Sequence, residues 1–82
     1  MSTVTLTRAE LIVLRALCAP GVRWHLPSVL IHKTRLCPAA IRRALRGLYE
    51  RGYAVGPRDQ EWSATPMGED AVRAFESVAV AA

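Results

Sequence analysis

The chain has 82 residues, 51% apolar and 6% aromatic, with a formal charge of +4. That length gives one domain with a core just large enough to stand alone, aliphatic and alanine-rich, and the composition excludes a disordered polymer. No run approaches the ~20 apolar residues of a membrane span, and the amino end lacks the basic-then-apolar pattern of a secretory leader, so the chain reads as soluble and cytoplasmic.

Thr7-Arg8-Ala9-Glu10 has the form of a capping box, with Thr7 as N-cap and Glu10 reaching back. It predicts a helix over about 8–18, with Leu11, Leu14, Leu17 and Cys18 on one face. Ile12 falls on the other face, near Arg8 and Arg15, as a candidate subunit contact. Ala19-Pro20-Gly21 breaks the helix, and Val22–His25 reads as a short strand. Pro27 suits the first turn of a second helix over 27–34, with Val29, Leu30 and Ile31 as its apolar positions.

Leu36-Cys37 forms a tight turn before Pro38, which opens a third helix over 38–51. On a helical wheel Ile41, Ala44, Leu45 and Leu48 make one apolar stripe. Ala39, Arg43, Arg46 and Glu50 lie opposite, with Arg42 on the flank. Gly52 follows the helix end. Such a helix is ~20 Å long, enough to cross a groove.

Tyr53–Val55 and Glu61–Ala64 read as two strands joined by a turn over Gly56–Gln60, a hairpin over about 53–64 with Arg58 near its tip. Thr65-Pro66 then caps and opens a last helix over 66–79, whose stripe is Met67, Ala71, Ala74, Phe75 and Val78. There is no internal repeat, linker or low-complexity stretch.

The charge is segregated along the chain. Between residues 23 and 58 stand Arg23, Lys33, Arg35, Arg42, Arg43, Arg46, Arg51 and Arg58 against the single Glu50. The five acids after that segment face only Arg73. A basic middle is what a surface meeting a polyanion requires, and a solvated basic face is its plain alternative. Arg51, in the last turn of its helix, reads as structural, a cation complementing the helix dipole. Trp24 reads as core, and Trp62 as packing beneath the hairpin.

Cys18, Cys37, His25 and His32 match no common zinc spacing, so neither a metal nor another cofactor is expected. No histidine has an obvious carboxylate mate beside a nucleophile, and there is no glycine-rich phosphate loop. An enzyme is not expected.

The order helix, short strand, helix, tight turn, helix, hairpin, helix is that of a winged helix-turn-helix domain, mainly α with a small β-hairpin wing. Leu36-Cys37 followed by Ile41, Leu45, Leu48 and Glu50-Arg51-Gly52-Tyr53 resembles the recognition-helix segment of MarR-like and PadR-like transcriptional regulators. Trp62-Ser63-Ala64-Thr65-Pro66-Met67-Gly68 resembles their strand-to-helix close. The resemblance covers roughly residues 7–78. Cys37 departs from it, standing where Ser, Thr or Asp usually caps the recognition helix, so that cap should be weaker. The long extra helices with which MarR-like proteins dimerise are absent from these residues.

The resemblance implies a single DNA-binding domain over 1–82 that reads double-stranded DNA as a small transcriptional regulator, helix 38–51 entering the major groove amino end first. Ala39 and Ala40 would then allow close approach, with a methyl group to meet thymine. Arg42 and Arg43 are the candidates for bases, and Lys33, Arg35, Arg46 and Arg58 for phosphates. So small a unit offers few contacts, and a homodimer through Ile12 or the last helix (Val72, Phe75, Val78) is expected. The alternative is a winged-helix module that binds a protein partner. Replacing Arg42 and Arg43 discriminates the two, since partner binding through apolar faces would survive it.

Overall fold

The computed structural model describes residues 6–81, and side chains as far as Glu76. Its elements run α1 (Arg8–Leu17), α2 (Pro27–Thr34), α3 (Pro38–Glu50), β1 (Ala54–Arg58), β2 (Glu61–Ala64) and α4 (Pro66–Ala81). Each helix begins where a local signal stands. At α1 the capping box is complete: Glu10 N donates to Thr7 Oγ1 (3.1 Å) and Thr7 N donates to Glu10 Oε1 (2.9 Å). Proline opens each of the other three helices, where its missing N–H has no intrahelical partner to lose. Cys37 caps α3 without a side-chain hydrogen bond. Arg51 is the C-cap of α3, and Gly52 follows with a φ of 78°.

The core is aliphatic. Val13, Leu14 and Leu17 of α1 meet Leu30 of α2, Ile41, Ala44, Leu45 and Leu48 of α3, Ala54 of β1, and Ala71 and Val72 of α4. Burying a leucine or isoleucine of this kind contributes about 1.5–3 kcal/mol, so α3's four-residue stripe is the main anchor of that helix. In α1 the buried arc is Glu10, Val13, Leu14 and Leu17, rotated from the expected face, while Leu11 and Cys18 are half-buried. The rotation arises because α1 packs against α2, α3 and α4 as well as β2. In α2 only Leu30 is fully buried, and Val29 is exposed.

The stripe expected on α4 is corrected. Gly68, Ala71 and Val72 are buried, whereas Met67, Ala74 and Phe75 are exposed, and the side chain of Val78 lies outside the described residues. The reason is a backbone contact. A Cβ on Gly68 would collide with the carbonyl oxygen of Tyr53, so α4 rests its first turn directly on the chain entering the hairpin. That close approach sets the rotation of the helix, and side-chain size does not.

The hairpin pairs Ala54 with Ala64, Val55 with Ser63 and Arg58 with Glu61, with an irregularity between Val55 and Arg58. Its turn is shorter than expected. β1 continues through Gly56 and Pro57 to Arg58, and only Asp59 (φ 52°) and Gln60 (φ 66°) form the tip. Two positive φ values in a two-residue loop follow the right-handed twist of the flanking strands. The strand expected over Val22–His25 is reduced to one bridge: His25 N donates to Trp62 O (2.8 Å) and Trp62 N to His25 O (2.7 Å). Thr65 closes the hairpin's base. Its N–H donates to Tyr53 O (3.0 Å), its hydroxyl donates to Gly52 O (2.6 Å), and Thr65 Oγ1 in turn accepts from Gly68 N (3.0 Å).

Candidate nucleic-acid interface

The apolar stripe of α3 is wholly buried, so its opposite face is turned to solvent. Ala39, Arg42, Arg43 and Arg46 are all exposed there. No acid stands in the first turn of α3, and the one carboxylate on the exposed face is Glu50 at the far end. No carboxylate of α3 itself therefore stands over the amino-terminal half of the helix. Ala39 keeps that half low. Ala40 does not share the open face, because it is half-buried and lines a hollow with Thr7, Ala9 and Glu10 of α1's start.

Arg46 differs from its neighbours: its Nε donates to Glu50 Oε1 at 3.2 Å, with both side chains largely exposed. An exposed pair one helical turn apart contributes about 0.3–0.5 kcal/mol, so an incoming phosphate can displace the carboxylate. Lys33 is exposed in the last turn of α2, and Arg35 is exposed in the turn that follows. That turn is shaped by Thr34, whose hydroxyl donates to Leu30 O (2.7 Å) and accepts from Leu36 N (3.3 Å). Arg35 itself takes a left-handed backbone (φ 61°) as the C-cap of α2. Lys33 and Arg35 thus lead directly into the arginine face.

Arg58 stands apart, on the hairpin beside its tip. Its guanidinium lies over the ring of Trp24, 5.6 Å from the centroid. Trp24 was expected in the core and is instead half-buried beside the hairpin. Trp62 does pack under the hairpin, with Tyr49 of α3 against it edge to face at 6.2 Å.

Arg51 is structural for a reason its position in the helix did not reveal. Its Nη1 donates to Glu10 Oε1 at 3.0 Å, joining the end of α3 to the start of α1. The Glu10 side chain is only 7% exposed. Gly47 leaves the space for it, since a Cβ there would collide with Glu10 Oε2.

The remaining candidates gather no chemistry. His25 is buried, its Nε2 against Val22 O at 3.1 Å, while His32 is exposed. Burial, then the charges of Glu69 and Glu76, push the Cys18 thiol above its usual range, with Arg73 opposing. Among the described residues no three His, Cys, Asp or Glu are placed to hold a metal ion, and no helix is long and apolar enough to cross a membrane.

No protein-family model and no curated protein matches the chain. Solved structures do. ZitR of Lactococcus lactis, as a cysteine-to-serine mutant in complex with DNA, superposes with a TM-score of 0.75 at 23% identity over 93% of this chain. A glutamate-to-alanine mutant of the same protein gives 0.73 at 26% identity over 98%. The fold is a winged helix-turn-helix. Within it α2, the Thr34–Cys37 turn and α3 are the helix-turn-helix, and β1–β2 is the wing. The chain spans little more than half the length of those ZitR chains, 54% and 55%.

Proposed function

We propose that this winged helix binds double-stranded DNA in a sequence-selective manner, as a small regulator of transcription, with α3 in the major groove. The observation that carries the reading is the exposed arginine face of α3, with no acid of the helix itself over its amino-terminal half. Its likeness to a ZitR structure in complex with DNA supports the same reading. Arg42 and Arg43 are assigned to base edges, where the guanidinium fork matches O6 and N7 of guanine. Ala39 leaves room for that approach. Lys33, Arg35, Arg46 and Arg58 are assigned to phosphates, which hold the protein in register without reading sequence.

A second copy of the chain fits this reading, because two α3 helices one turn of DNA apart double the base contacts. Phe75 is exposed on α4 and serves such a contact; Val72 is buried in the core and does not.

The test is fluorescence anisotropy of labelled duplex at about 50 and about 200 mM salt, with random-sequence competitor. Neutralising about four phosphates makes affinity fall about a hundredfold over that range. Replacing Arg42 and Arg43 with alanine should abolish the competitor-resistant part. No binding to any duplex at the lower salt would sink the proposal and turn attention to a protein partner.

A further inference from the structure

Arg58 sits where the wing turns, next to Asp59 and close to Glu61, and these three side chains line a hollow of about 270 Å³ together with Trp24. Two carboxylates lie within easy reach of a flexible cation. Yet among the described residues Arg58 forms no ion pair, and its guanidinium lies over the indole face of Trp24 at 5.6 Å. The distinction matters chemically. A carboxylate partner would occupy the guanidinium's in-plane N–H donors and cancel its charge. An aromatic face engages the flat side of the group and leaves those donors and the charge free.

We infer that Trp24 is a positioning residue for DNA binding: it holds Arg58 stacked, charged and with its N–H edge open, ready to engage the sugar-phosphate backbone. The inference rests on the DNA-binding reading and assigns a role that the arginine face of α3 does not include. Two features support it. The wing tip is a two-residue loop, Asp59–Gln60, so the backbone of Arg58 is fixed by its pairing with Glu61. Trp24 is fixed in turn, because its neighbour His25 is buried and bridged to Trp62 through two backbone hydrogen bonds. Both partners of the stack therefore stand on a braced framework, and the long arginine side chain is ordered before DNA arrives. Pre-ordering removes part of the entropy that a free arginine loses on binding.

A double-mutant cycle on the full chain tests this, with a mixed-sequence duplex of about 30 base pairs as probe at about 50 mM salt. A stack of this exposure corresponds to a two- to fivefold effect, so W24A should weaken binding by about that factor. R58A should weaken it at least as much, and the double variant should bind no worse than R58A. W24F, which keeps an aromatic face, should recover most of the loss. A ring-current upfield shift of the Arg58 side-chain protons, present in the wild type and lost in W24L, reports the stack independently of DNA. Additive losses in the double variant, an affinity indifferent to Trp24, or tighter binding by W24A would each overturn the role while leaving the DNA reading intact. Absence of wild-type binding would instead remove the DNA reading, and this role with it.

Discussion

At the residue scale, the contact between Glu10 and Arg51 decides how two distant parts of the chain meet. Glu10 Oε1 accepts from Thr7 N and from Arg51 Nη1, 41 residues away, so one buried carboxylate both caps α1 and holds the end of α3. Gly47→Ala brings two effects into competition. Alanine gains about 1 kcal/mol of helix propensity over glycine. Its Cβ, however, must displace Glu10 Oε2, whose carboxylate is pinned by both partners. We expect the collision to win and the variant to lose about 1–2 kcal/mol in urea unfolding. In a Glu10→Ala background the same change should become neutral or stabilising, because nothing is left to displace. Gln60 is the opposite case, a side chain that the two-residue turn holds in a left-handed conformation (φ 66°) better suited to glycine. Gln60→Gly should raise stability by about 1 kcal/mol. An unchanged denaturation midpoint would show that the wing tip is not strained.

At the element scale, what the sequence made legible was what local chemistry controls. Thr7, Pro27, Pro38 and Pro66 each mark a helix start because a cap or a missing N–H acts within one turn. The stripe of α3 was legible too, since Ile41, Ala44, Leu45 and Leu48 recur with the helical period. The rotation of α4 was not, because its tightest contact is made by Gly68, which has no side chain to register in an apolar pattern. The Trp24–Arg58 stack and the Glu10–Arg51 bridge were hidden for a related reason: each joins residues far apart in sequence, and only the fold makes them neighbours. Within α3, Glu50 is the one acid on the exposed face, and Glu50→Gln isolates its effect. The lost pair with Arg46 and the relieved repulsion with the helix C-terminus are each a few tenths of a kcal/mol and opposite in sign. Stability should therefore hold, while DNA affinity rises a few-fold, because Arg46 no longer gives up a carboxylate when it meets phosphate. Weaker binding by this variant would place Glu50 itself in contact with a base.

At the scale of the whole molecule, charge is divided between faces in the way the chain divides it along its length. Lys33, Arg42, Arg43, Arg46 and Arg58 lie on α2, α3 and the wing, while Glu69, Asp70 and Glu76 lie on α4, with Arg15 of α1 bridging to Glu76 at 3.8 Å and Arg73 to Asp70 at 2.7 Å. A polyanion on the basic side therefore stabilises the folded state without opposing the acidic side. Duplex DNA at about a hundred times its dissociation constant should add ~2.7 kcal/mol and raise the melting temperature by about 10 °C or more. Moving from about 50 to about 200 mM salt should erase most of that shift; a shift that ignores salt would indicate an apolar partner surface. One feature of the fold bears on how such a molecule can change. Thr65 ties Gly52 and Tyr53 to the first turn of α4, so the hairpin hangs from a knot that is complete without its tip. Extra residues inserted between Asp59 and Gln60 leave that knot and both flanking helices where they are, and doubling a loop's length costs only about 0.6 kcal/mol. Reach along the duplex and the seating of α3 are thus separate variables, and a longer or differently charged finger can be grafted at one point without rebuilding the hand.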